Sequence, residues 1–154
     1  MNQLPDHLFR KIESISHEVK KNLRKKGIAI PMDNEDGTIS LGDYKIVKID
    51  GNFYSVLDNT NNPVVEKINL PQTAVMLAND LALGKFLNHR LLELDRNYGY
   101  ALFEETLTKK SLKNVRKPLD QYEIMNTKCL IAQAKKTNYR HEIIKSFEKL
   151  RKLA

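Results

Sequence analysis

At 154 residues, 41% hydrophobic and 29% charged, the chain is long enough to bury one core and too apolar to remain disordered. No run approaches the roughly 18 uncharged apolar residues of a membrane span, and the opening MNQLPDHLFRKI lacks the apolar core and cleavage site of a signal peptide. The 26 basic against 19 acidic residues leave a net charge of +7, which favours an anionic partner, whether nucleic acid, acidic protein or membrane surface, without naming one.

Residues 4–26 read as a helix. Leu8, Phe9, Ile12, Ile15, Val19 and Leu23 recur at spacings of three and four and make one apolar stripe. Pro5 suits the first turn and Gly27 the C-cap. The last turns hold Lys20, Lys21, Arg24, Lys25 and Lys26, where cations meet the negative end of the helix dipole. That placement explains much of the cluster without a ligand; anion binding is the alternative.

Residues 28–68 read as strands. Asp36-Gly37 is a turn pair before the alternating Ile39, Ser40 and Leu41. Asp33, Glu35 and Asp36 invite a calcium loop, but counting from Asp33 the glycine falls fifth rather than sixth, and Tyr44 stands where the distal glutamate belongs. A plain acidic turn is the expectation. Tyr44–Ile49 and Phe53–Leu57 form a hairpin through Asp50-Gly51-Asn52. The DNTNNP turn over residues 58–63, whose side chains can cap their own backbone, leads to a third strand over residues 64–68. Tyr44 and Ile46 lie on one face and Val47 and Ile49 on the other, so helices must cover one face, with partial cover of the other left open.

Pro71 opens the next helix, expected over residues 71–96 with Asn69 or Leu70 as its cap. Ala74, Leu77, Ala78, Leu81 and Ala82 give a narrow face that admits a close neighbour, widened by Phe86, Leu87, Leu91 and Leu94. Gly84 is expected inside this helix, marking close contact or a bend. A break is expected at residues 97–99, then a helix over residues 100–116 with Leu102, Phe103 and Leu107 inward. Lys109, Lys110, Lys113, Arg116 and Lys117 form a second basic cluster near its end, and Pro118 stops it. Two further helices are expected, over residues 119–136 with Tyr122, Met125, Cys129 and Ala132 in register, and over residues 138–153 with Asn138 as cap and Ile143, Phe147, Leu150 and Ala154 in register. The third basic region comprises Lys135, Lys136, Arg140, Lys145, Lys149, Arg151 and Lys152.

Reactive constellations are hard to find. His7, His17, His89 and His141 are scattered and share no ligand-like spacing with Cys129, a lone cysteine that rules out an intramolecular disulfide and reads as a small core residue. Lys85, His89 and Glu93 would share a helix face, which suits an ordinary solvated row better than acid-base work. The glycines are isolated, so no phosphate-cradling loop is present. Ser146 and Lys149 match a bare Ser-x-x-Lys pattern without its companion motifs. Adjacent Glu104 and Glu105 diverge on a helix and make a poor carboxylate pair. No aromatic RNA-binding consensus or helix-turn-helix pattern appears.

The stretch DRNYGY, residues 95–100, is the most distinctive polar corner. Arg96, Tyr98 and Tyr100 are residue types favoured as interface anchors, though they can equally brace a helix junction. If the basic clusters converge, they could instead neutralise phosphates without sequence specificity.

At LPDHLFRKIESISHEVKKNLRKKGI, and again at INLPQTAVMLANDLALGKF and DRNYGYALFEE, the chain resembles small proteins of tailed phages infecting marine cyanobacteria. The likeness extends through most of the chain. It implies a phage-encoded protein acting in the host bacterial cytoplasm or in a virion, and it carries over no activity, cofactor or functional residue.

The expectation is a single α+β domain over residues 1–154: an N-terminal helix, a small antiparallel meander of three to four strands, and three to four amphipathic helices packed on the sheet. The expected function is that of a non-enzymatic interaction protein, structural or accessory, that binds a protein partner or itself, with Arg96, Tyr98 and Tyr100 as anchors and with no cofactor, metal or small-molecule substrate. The alternative is a nonspecific nucleic-acid-binding accessory protein using the basic helix ends.

Overall fold

The computed structural model describes residues 25, 31–34, 37–49, 52–114 and 119–153. The expected helix over residues 4–26 lies outside them except for Lys25, which is helical and exposed. The described chain has an α+β architecture with element order β1 (Pro31–Asp33), β2 (Ile39–Leu41), β3 (Tyr44–Ile49), β4 (Phe53–Leu57), β5 (Pro63–Ile68), α1 (Pro71–Ala82), α2 (His89–Asn114) and α3 (Leu119–Leu153).

The strands form one antiparallel meander in sequence order, so β1 and β5 are its edges. Two short strands at the start take it beyond the three to four expected. Leu41 pairs with Tyr44, so β2 and β3 are joined by the two-residue turn Gly42-Asp43. Gly42 has φ +59°, and its missing Cβ lets Ala82 at the end of α1 come close. In the next but one turn, Asp58 Oδ1 accepts hydrogen bonds from Thr60 N (2.9 Å), Thr60 Oγ1 (2.7 Å) and Asn62 N (2.9 Å), the self-capping expected of DNTNNP.

Strand β5 breaks the two-residue alternation. Val65 and Ile68 both face the core while Glu66 and Lys67 are both exposed, and Lys67 has φ +56°. The strand therefore carries an extra residue there, a bulge, and its register with β4 shifts a second time at Val64, between the pairs Val56–Val65 and Leu57–Pro63.

The core is the inner face of the sheet against α1. Ile39, Leu41, Ile46, Tyr54, Val56, Val65 and Ile68 meet Ala74, Val75, Met76, Leu77 and Ala78. Seven successive residues of α1, from 73 to 79, are buried, because α2 and α3 cover the side away from the sheet. The alanines at 74 and 78 are fully buried, consistent with the narrow face expected.

Several boundaries differ from expectation. The helix expected over residues 71–96 ends at Ala82, where Gly84 takes φ +76° and its N–H bonds Leu81 O (3.0 Å); residues 83–88 form a connector. A left-handed glycine ends the helix rather than bending it. No break occurs at residues 97–99, since α2 runs through them, and no break occurs at Asn138, inside the 35-residue α3. Lys85 therefore lies in the connector and shares no helix face with His89 and Glu93.

Helices α2 and α3 pack mainly on each other rather than on the sheet. Their seam follows a seven-residue repeat: Leu94, Tyr98, Ala101, Glu105, Thr108 and Leu112 on α2, and Met125, Cys129, Ala132, Lys136, Tyr139 and Ile143 on α3, all buried or half-buried. Its middle is small and polar. Cys129, Ala132 and Ala101 bring the helices close, and Glu105 crosses to Lys136 (2.6 Å) while pairing with Lys109 (2.7 Å) on its own helix. The large apolar residues lie outside: Phe103 is 64% exposed, Ile124 56%, and Leu102, Leu107, Tyr122, Leu130 and Ile131 are exposed as well. Leu102, Phe103 and Leu107, expected inward, thus face out, because a two-helix arm has only one seam and the small and polar positions occupy it. Tyr122 likewise lies exposed although Met125, Cys129 and Ala132 keep register.

Candidate partner-binding groove

A groove of about 780 Å³ runs between β5 and the first turns of α2. Five successive residues of the β5 stretch, 63 to 67, line it, together with Phe53, Asn69, Leu87, His89, Leu92, Arg96, Gly99 and Tyr100. Successive strand residues point to opposite faces, so a wall made from all of them is the strand's edge rather than one face. The opposite wall is helical: 89, 92, 96, 99 and 100 follow one another at three, four, three and one, a single side of α2.

The bottom of the groove is held by a buried carboxylate. Asp95, with no exposed surface, accepts hydrogen bonds from Asn69 N (2.7 Å), Leu70 N (3.0 Å) and Asn69 Nδ2 (3.2 Å), and Asn69 Nδ2 also donates to Asp95 O (3.1 Å). Leu70 is the N-cap of α1 and offers no capping side chain, so Asp95 serves the helix N-terminus from 25 residues away, with its charge at the positive end of the dipole. Burial pushes the Asp95 carboxyl above the usual range, against the stabilising hydrogen bonds from Asn69 and Leu70. The Thr73 hydroxyl also favours the charge. Gly99 completes the bracket: a Cβ there would collide with the Asn69 side chain, so only glycine lets α2 sit this close to the β5–α1 connection.

Above this bracket the groove is apolar and basic. Val64, Phe53 and Tyr100 present exposed apolar surface, Tyr100 being 72% exposed. Lys67, His89 and Arg96 line it with one carboxylate, Glu66, and among the described residues neither His89 nor Arg96 has an ion-pair partner. Phe86, expected on the inner face of a long helix, is instead 97% exposed in the connector beside Leu87 of the groove. Sequence reasoning missed Phe86 because the apolar spacing 77, 81, 86, 87 runs on past the point where Gly84 ends the helix.

Of the three expected anchors, Arg96 and Tyr100 reach this groove, while Tyr98 is half-buried on the α2–α3 seam and packs on the core. The bracing function considered for residues 95–100 falls to Asp95 and Gly99. A second, smaller depression of about 390 Å³ lies where the three helices meet, lined by Asp80, Arg90, Glu142 and Ser146 among others. Burial raises the Asp80 carboxyl above its usual range, against the nearby Lys85 ammonium.

Among the described residues the basic side chains are strung along the α2–α3 arm. Lys109, Lys110 and Lys113 are exposed on α2, and Arg140, Lys145, Lys149 and Lys152 on α3. With Glu105 opposite Lys136 in antiparallel helices, a rise of about 1.5 Å per residue spreads these cations along the arm, from about 12 Å between Lys109 and Arg140 to about 36 Å between Lys113 and Lys152, with exposed Lys135 between them. Lys136 is spent on Glu105. Lys20, Lys21, Arg24, Lys26, Arg116 and Lys117, and the side chain of Arg151, lie outside the described residues. Among the described residues no group of acidic, histidine and cysteine side chains could hold a metal ion, and no helix is long and apolar enough to cross a membrane. No family model, curated protein or solved structure matches the chain.

Proposed function

We propose that this chain is a non-enzymatic interaction protein, structural or accessory, that engages a protein partner through the groove between β5 and α2. The observation that carries this reading is the convergence of Arg96, His89, Tyr100 and exposed apolar side chains on an edge strand, over a floor fixed by Asp95. Arginine and tyrosine over an apolar base are the residues that most often anchor protein interfaces. Phage origin, with action in the host bacterial cytoplasm or in a virion, rests on the resemblance of the quoted segments.

The test compares wild type with Arg96→Glu and Tyr100→Ala as bait in infected host cells, alongside mass spectrometry of purified virions. Both side chains are exposed, so the variants should fold. The expected result is a partner retained by wild type and lost at least tenfold from either variant. A partner held equally by all three, or strong binding to single-stranded DNA at low salt that disappears at high salt, would overturn the reading.

A further inference from the structure

The groove admits a more specific assignment, which rests on its being the interaction site. We propose that the outer edge of β5 takes an extended segment of the partner polypeptide as a sixth strand, with a carboxylate of that segment held by Arg96 and His89. Three features lead there. β5 ends the sheet, so one side of its backbone has no strand beside it among the described residues. An unpaired edge is a template for strand addition. Its ends are blunted by Pro63, which lacks an N–H, and by the bulge at Lys67, and a second register shift falls at Val64, so the accessible template is the short, twisted stretch Val64-Val65-Glu66.

The second feature is the wall opposite. Helix α2 flanks this edge, so the edge opens into a slot rather than onto free solvent. Such a slot suits a single extended segment. A second copy joined edge to edge would bring its own α2 into the same space.

The third is charge. The slot holds Arg96, Lys67 and His89 against Glu66, while Val64, Phe53 and Tyr100 supply apolar contact. An added strand presents side chains to opposite walls at alternate positions. The matching segment therefore alternates β-branched or aromatic residues with a carboxylate that reaches the guanidinium.

The experiment selects a displayed library of random octapeptides on the full chain and counter-selects on Arg96→Glu. The expected winners carry an acidic residue flanked by β-branched or aromatic residues. As synthetic peptides they should bind wild type at least tenfold more tightly than Arg96→Glu. Methylating alternate backbone nitrogens on the pairing side should abolish binding, and the peptide should slow hydrogen exchange at Val64 to Glu66. Winners that tolerate methylation at every nitrogen yet depend on Arg96 would overturn strand addition and leave the interaction reading standing. No enrichment over Arg96→Glu would overturn this assignment, while the bait comparison above still decides the interaction reading separately. A peptide-free dimer already protected at β5 would replace the partner segment with a second copy, and so would also overturn it.

Discussion

The sheet with α1 and the far half of the α2–α3 arm are built on opposite plans. In the first, large aliphatic side chains point inward and a buried charge ties the elements together. In the second, the seam is alanine, cysteine, threonine and an ion pair, and the large apolar residues face out. The body is closed by burial. The arm owes its helices to length and to one narrow seam, so its stability should depend little on any one exposed side chain.

The largest effect should come from emptying the body. Leu77→Ala removes a fully buried side chain between sheet and helices and should cost about 2–5 kcal/mol in urea unfolding. Leu107→Ala on the arm should change stability by less than about 0.5 kcal/mol. An equal loss at both sites would erase the distinction.

Asp95→Ala should follow at about 2–4 kcal/mol, because Asn69 N and Leu70 N would be left without their acceptor at a helix N-terminus. Gly99→Ala should cost about 1–3 kcal/mol, since the gain from a better helix former is outweighed by the clash with Asn69. Both should also loosen the groove floor and weaken peptide binding, whereas Leu107→Ala should not.

The smallest effect separates the two regions by sign. The Glu105 carboxyl is held at about 2 by Lys109 and Lys136, well below its ordinary 4.5. Its contribution to stability is therefore full above 4.5 and lost as pH falls through about 2. Asp95 is shifted upward, so its effect is reversed: the contribution is fully present below the ordinary carboxylate value and declines as pH rises through the raised one. Melting temperatures from pH 2 to 6 should show Glu105→Gln flattening the acid-side fall and Asp95→Asn steepening it. At neutral pH Glu105→Gln should cost about 1 kcal/mol, less in high salt.

Much of the body was legible in its residues. The turns at Gly37, Asn52 and residues 58–62, the alternation in β3 and β4, and Pro71 at a helix start are local signals whose physics acts within a few residues. The groove was legible only in part. Arg96 and Tyr100 stood out as anchor types, but the edge they face depends on β5 being last in the sheet and on a bulge that shifts Glu66 and Lys67 outward together. The missing break at residues 97–99 has the same source: DRNYGY has the glycine of a junction, yet its glycine answers to Asn69, thirty residues back.

The amino-acid order by itself determined the α+β composition, the meander and the small-residue face of α1, because propensity, turn chemistry and apolar period are short-range effects. Tertiary structure alone decided which apolar residues face out on the arm, which carboxylate caps α1, and that Arg96 and Tyr100 line an edge strand while Tyr98 does not. Those outcomes rest on contacts between residues 25 or more apart, and on a seam that accepts only one side of each helix.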